Sequence, residues 1–129
     1  MPLTLLMLDE ATNGERRDAG EFKFESPAIT LRELIRVRVE QDVARFNESE
    51  SESFQGLVQP GEFERVLNGL GTRPQLDWRQ QFEKAVRAFK GNGFLVLVDD
   101  CQITDLDQTI QLTAQSQVTF LKLVPLIGG

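Results

Sequence analysis

Histidine is absent from the 129 residues, and cysteine occurs once, at Cys101. These absences exclude the common zinc sites, which are built mostly from Cys and His ligands. They also exclude a Ser-His-Asp or Cys-His mechanism within the chain and an internal disulfide framework. Basic residues are in the minority: 14 Lys and Arg against 20 Asp and Glu leave a net charge of −6. Sequence-independent nucleic-acid binding needs a basic stripe that releases phosphate counterions, and no such stripe is present. A basic protein partner suits the field of this chain better than DNA does. Long apolar runs are also missing, and nothing reaches the ~20 residues of a membrane span. The opening Met1-Pro2-Leu3-Thr4-Leu5-Leu6-Met7-Leu8-Asp9 is short and has no basic leader, so it does not read as a signal peptide. With one cysteine and no export signal, a cytoplasmic protein is expected, partnered by neither nucleic acid nor membrane.

What is present is ordinary globular composition, 40% apolar and 26% charged. At about 150 residues per domain the length predicts one domain. A chain of this size buries roughly two thirds of its unfolded surface and needs no disulfide or metal to fold. Residues 3–8 are apolar, Asn13-Gly14 suits a tight turn, and Glu21-Phe22-Lys23-Phe24-Glu25 alternates with the period of a half-buried strand. The spacing predicts a hairpin with a long polar connection over residues 11–20. Ser26-Pro27 ends the second strand. Thr30-Leu31-Arg32-Glu33 matches a capping box. Leu31, Ile35, Val39, Val43 and Phe46 then repeat every three or four residues, which predicts a helix ending near Asn47. Residues 35–40 also alternate like a strand, but the box and the longer period favour the helix.

Glu48-Ser49-Glu50-Ser51-Glu52-Ser53 repels itself and reads as a solvated loop, in preference to a set of acidic phosphorylation sites. Residues 60–68 predict a short helix with Phe63, Val66 and Leu67 inward. Asp77 caps a clearer helix carrying Trp78, Phe82, Ala85, Val86 and Phe89 on one face, with Gly91 as its stop. This helix is expected to pack on the domain as a satellite. Residues 94–98 predict a buried strand, Asp99-Asp100 a turn, residues 101–103 a very short strand, residues 105–112 an irregular connection, and residues 118–124 the last strand. On that strand Val118 and Phe120 share one face and Thr119, Leu121 and Leu123 the other. The first pair is expected in the core with Val96, Leu31 and Ile35. Leu121, Leu123, Leu126 and Ile127 are expected to form an exposed apolar patch for a partner.

The sequence closes on Pro125-Leu126-Ile127-Gly128-Gly129. A terminal diglycine arises by chance in roughly one chain in 200, taking glycine usage at about 7%. Here it follows an apolar strand and an apolar tail. Without Cβ atoms, such a tail can thread a narrow channel. Its carboxylate can attack the α-phosphate of a nucleotide held by another protein, and a thiol can intercept the resulting mixed anhydride.

Residues 95–129 resemble the C-terminal half of the small ubiquitin-like sulfur carriers of molybdopterin and thiamine synthesis. The resemblance rests on Leu95-Val96-Leu97-Val98-Asp99-Asp100, Asp105-Leu106-Asp107, Val118-Thr119-Phe120 and the Pro125-Leu126-Ile127-Gly128-Gly129 tail. Thr30-Leu31-Arg32-Glu33-Leu34 stands where that family begins its helix. The resemblance implies an α+β, β-grasp fold, a mixed sheet packed on a helix, forming a single ubiquitin-like domain over residues 1–129. Residues 48–92 would be a helical insertion within it. Two local departures are Asp99-Asp100 where carriers often have Asn-Gly, and Ala114-Gln115-Ser116-Gln117 where they have Gly-Asp. The resemblance also implies a protein that is not itself an enzyme and has no cofactor of its own. Gly129, preceded by Gly128, would be adenylated by a ubiquitin-activating-type enzyme that uses the ATP. The size of the insertion favours a protein modifier, passed to a target protein with or without a conjugating enzyme. The alternatives are a sulfur carrier forming a C-terminal thiocarboxylate and a non-catalytic β-grasp interaction domain.

Three further features carry less. Cys101 reads as a small hydrophobe rather than a redox thiol. Asp99, Asp100, Asp105 and Asp107 lack EF-hand spacing and read as turn residues. Gly69-Leu70-Gly71 lacks both the third glycine and the leading strand of a dinucleotide loop.

Overall fold

The computed structural model describes residues 2–48, 57–58 and 76–123. The expected helix over residues 60–68, the acidic serine loop and the tail from residue 124 onward lie outside them. So does the Gly69-Leu70-Gly71 segment.

Strand β1 (Leu3–Ala11) turns Leu5, Met7 and Asp9 inward and Leu6 outward. Strand β2 (Arg16–Phe24) pairs with it antiparallel, burying Phe22 and Phe24. The hairpin is tighter than expected. Most of the supposed polar connection is strand, and Asn13-Gly14 makes the turn, with Asn13 Oδ1 accepting from the Glu15 N–H at 3.0 Å and Gly14 at φ 95°. Cross-strand ion pairs carry the ladder through this charged stretch, Arg16 to Glu10 at 3.0 Å and Arg17 to Asp9 at 3.0 Å. The register shifts between Met7 and Leu8, beside Gly20 at φ 110°. A Cβ there would also lie 2.7 Å from Arg45 Nη1, which a shift of that flexible side chain could relieve, so it is the positive φ at the bulge that favours glycine.

A short strand β3 (Ala28–Thr30) leads into helix α1 (Leu31–Glu48). Thr30 Oγ1 accepts from the Glu33 N–H at 3.2 Å, the capping bond expected from the sequence. The Leu31 and Arg32 N–H groups, also orphaned at a helix start, donate to the carbonyls of Gln108 and Leu106. All five residues expected on the apolar face are buried. Helix α2 (Trp78–Lys90) is capped by Asp77, whose carboxylate accepts from the Arg79 N–H at 3.0 Å. It lies against α1 and buries Ala85 and Gln81, so it joins the main core rather than forming a satellite. Gly91 follows the last turn, but the left-handed residue that reverses the chain is Asn92, at φ 61°.

Strand β4 (Phe94–Val98) and β5 (Cys101–Ile103) form a two-residue hairpin. Residues 109–111, expected to be irregular, form β6 (Thr109–Gln111), which pairs antiparallel with β3. Ile29 faces Ile110 there, and both are buried. Strand β7 (Val118–Lys122) lies at the centre of a five-stranded mixed sheet of order β2-β1-β7-β4-β5. It runs parallel to β1 and antiparallel to β4. The α+β core is the inner face of this sheet closed by α1. Val96, Val118, Phe120, Leu31 and Ile35 are all fully buried in it, as the sequence leads one to expect.

The β4–β5 turn places Asp99 at φ 51° and Asp100 at φ 67°, the type I′ conformation that suits Asn-Gly. A side chain in the left-handed region costs about 1–2 kcal/mol. Asp99 offsets part of this by accepting from the Gln117 N–H at 2.9 Å. Among the described residues nothing hydrogen-bonds the Asp100 side chain. Asp100→Gly is therefore expected to raise stability by about 0.5–1 kcal/mol. Urea unfolding checks this, and an unchanged or lower midpoint would contradict it.

Candidate functional site

The outer face of the sheet carries leucine where polar residues are usual. Leu6 and Leu8 come from β1, Leu121 from β7, and Leu95 and Leu97 from β4. Strand register sets them side by side: Leu8 opposes Thr119, which opposes Leu97, while Leu121 lies between Glu10 and Leu95. Leu6 is 47% exposed and Leu123, just beyond β7, is 37% exposed. Among the described residues both helices pack on the opposite, inner side.

The expected patch is therefore found in part and enlarged. Leu123 is exposed as expected. Leu121 faces outward as expected but is half-buried, because its neighbours across the sheet are also long side chains. Thr119 faces outward too, yet is only 7% exposed between Leu8 and Leu97. Leu126, Ile127, Gly128 and Gly129 lie outside the described residues. Leu6, Leu8, Leu95 and Leu97 were not anticipated. Alternation about Leu5 and Met7, and about Val96 and Val98, is the signal that would have found them.

Beneath this face lies a buried ionic network that the sequence reading missed. Arg38, in the middle of α1, is 0% exposed. Its guanidinium donates from Nη1 and Nη2 to the two oxygens of Asp9, each at 2.8 Å, and from Nε to Asp42 at 2.7 Å. It also packs over the rings of Phe22 and Phe120, 5.4 Å and 4.9 Å from their centroids. The Leu57 N–H donates to the same Asp42 oxygen at 3.0 Å. The Arg38 side chain thus ties β1, β2, β7 and α1 together, and its partner Asp42 adds Leu57.

Burial works to raise both carboxyls. At Asp9 it is outweighed by the two-pronged bond to Arg38, that residue's charge and the bond from Arg17, which together hold the carboxyl below its ordinary value. At Asp42 burial prevails over the attraction of Arg38 and the Leu57 N–H, and the carboxyl is raised. Burial likewise lowers the Lys122 ammonium at the end of β7, against the pull of Asp9.

Cys101 is exposed beside the Asp99–Asp100 turn, not a buried hydrophobe. The aspartates serve turns: besides Asp99, Asp105 Oδ1 accepts from the Asp107 N–H at 2.9 Å. No helix among the described residues is long and apolar enough to cross a membrane.

Removing one partner of a buried ion pair costs about 3–5 kcal/mol, while replacing the whole group by apolar residues is often neutral. Arg38→Ala is expected to destabilise by that amount, and the triple variant Asp9→Leu, Arg38→Met, Asp42→Leu to regain most of it. Denaturant midpoints for both variants check this. The pH dependence has two parts. The raised Asp42 carboxyl imposes a penalty on the charged form that fades as pH falls through its folded value toward 3.8. The depressed Asp9 carboxyl contributes stability that is present above 3.8 and lost as pH falls further. Relative to wild type, Asp42→Asn should therefore flatten the profile above 3.8, and Asp9→Asn below it. Urea midpoints measured across the acid range decide.

Comparison with models of protein families, with curated proteins and with solved structures finds no match to this chain.

Proposed function

We propose that this is a ubiquitin-like protein of β-grasp type whose Gly129 carboxylate is adenylated by an activating enzyme and then transferred to a target protein. The observation that carries the reading is the central parallel pair β1–β7 in the order β2-β1-β7-β4-β5, with α1 crossing its inner face. A β-grasp domain has this arrangement, and it sends the chain toward Pro125-Leu126-Ile127-Gly128-Gly129 from the middle of the sheet. The leucine face supports the same reading. It adjoins β7 and ends at Leu123, so an enzyme holding the tail would find apolar surface immediately upstream of it. Residues 48–92 are then an insertion between the helix and the third principal strand. The chain supplies an acyl group and a docking surface. ATP and the catalytic residues belong to the partner.

The test is co-expression of the tagged chain with its genomic neighbours and a ubiquitin-activating-type enzyme, read by denaturing gel and intact mass. Higher-mass species that require Gly129 and leave a Gly-Gly remnant on an acceptor peptide are expected. Deleting Gly128 and Gly129 should abolish them and leave the thermal midpoint unchanged. Leu123→Asp should reduce ATP–pyrophosphate exchange by the partner about tenfold or more, equivalent to about 1.4 kcal/mol of docking energy. A single unconjugated species carrying a thiocarboxylate would instead assign the protein as a sulfur carrier. Neither product with an active enzyme present would leave an interaction domain.

A further inference from the structure

The two edges of the sheet are treated differently. On the β2 edge, outward backbone groups are bonded by side chains of α1. Gln41 donates from Nε2 to the Lys23 carbonyl at 2.9 Å and accepts from the Lys23 N–H at 3.2 Å, imitating a neighbouring strand. Arg45 donates to the carbonyls of Ala19 and Glu21. That edge is closed to an incoming chain.

The β5 edge is open. In a hairpin with a type I′ turn at Asp99-Asp100, the flanking pair Val98 and Cys101 exchange ladder bonds. The next pair, Leu97 and Gln102, does not, so the N–H and C=O of Gln102 point away from β4. Among the described residues no side chain or backbone group bonds them, and the same holds for Thr104. Gln102 and Thr104 are both exposed. Where β5 ends, an open cleft of about 490 Å³ begins, with Phe89, Leu95 and Leu106 on its apolar side and Arg32 and Lys90 at its rim.

Charge selects the occupant. Asp99 and Asp100 stand at one end of β5, in a chain of net charge −6. At the other end Asp107 is paired with Arg32 at 3.5 Å, and Lys90 lines the cleft together with Asp105, so the charges there balance. A second copy paired antiparallel about Gln102 would set Asp99 and Asp100 against Thr104 and Asp105, bringing carboxylates face to face. A segment with a cationic end meets opposite charge at the Asp99-Asp100 turn. We propose that β5 accepts an extended segment of a partner protein as a sixth strand, with lysine or arginine at the end that meets Asp99 and Asp100 and an apolar side chain seated in the adjoining cleft. Leu95 borders both this cleft and the leucine face, but β5 itself contributes nothing to that face, and the proposal does not depend on chemistry at Gly129.

The probe is a labelled peptide, Lys-Leu-Thr-Val-Thr-Leu-Lys, compared with Glu-Leu-Thr-Val-Thr-Leu-Glu and with Lys-Leu-Thr-Pro-Thr-Leu-Lys. Titration is followed by fluorescence anisotropy, and contacts by amide hydrogen exchange on the full chain. The lysine peptide is expected to bind, to slow exchange at Gln102 and Thr104, and to weaken as salt is raised. The glutamate and proline peptides should bind at least about tenfold more weakly, a difference of about 1.4 kcal/mol. Gln102→Pro removes the outward donor without touching a ladder bond, so it should lose binding with its melting temperature held. Should Gln102→Pro fail to fold, the exchange map of the unaltered chain decides. Protection confined to β2 or to the leucine face would overturn the proposal. Equal binding of the glutamate peptide, no binding of the lysine peptide, or a dimer that shields Gln102 without peptide would do the same.

Discussion

Everything in this fold is arranged around a charge that water cannot reach. The Arg38 guanidinium is enclosed by two phenylalanine rings and two carboxylates, so each of its nitrogens has a fixed partner. Apolar contacts between a helix and a sheet tolerate sliding, because one methyl serves nearly as well as the next. Hydrogen bonds to a planar fork do not. The helix therefore has one height and one rotation on the sheet at which Arg38 meets Asp9. The bond from Leu57 to Asp42 extends that constraint to the chain beyond the helix. The network contributes definition more than it contributes net stability, since desolvation consumes most of its Coulombic gain.

With the helix so placed, the two faces of the sheet separate. Inward, Phe22, Phe94, Val96, Val118 and Phe120 leave no room for solvent. Outward, leucines from three strands share a surface that no described element covers, with Thr119 shut in among them. The edges separate as well, one occupied by amide and guanidinium groups from α1, the other with outward backbone groups that no described residue bonds, next to the Asp99-Asp100 turn. A single sheet thus presents a closed interior, an apolar exterior, a sealed margin and an open one.

Much of this was legible in the residues. Thr30 and Asp77 announced their helices because a cap is a local device, and β4 and β7 announced themselves by unbroken apolar runs. The start of β2 was not legible: its charges pair across the hairpin, and no local pattern records a partner on another strand. β3 and β6 are three residues each, too short for alternation to register. Arg38 and Asp42 were passed over because charge in a helix ordinarily means solvent. Their spacing from Leu31 and Ile35 placed them on the buried arc, and Asp9 continues the inward series of Leu5 and Met7. Those two patterns, read together, held the network. On the outer leucine face, the outward placement of Leu121 and Leu123 was legible from alternation alone, whereas Leu6, Leu8, Leu95 and Leu97 needed strand register to bring them alongside.

Asn47 ends α1 with its side-chain amide bonded to both backbone groups of Leu76, donating to the carbonyl at 3.1 Å and accepting from the N–H at 2.9 Å. The clasp fixes the end of the helix to the chain just ahead of α2. The entropy of closing a loop grows only with the logarithm of its length, so added length between the two residues would by itself cost the fold little. Leu57 sets the limit on such change: it lies in that interval, is buried in the core and bonds Asp42, so any variant of the interval has to bring an apolar side chain and a free N–H back to that one place.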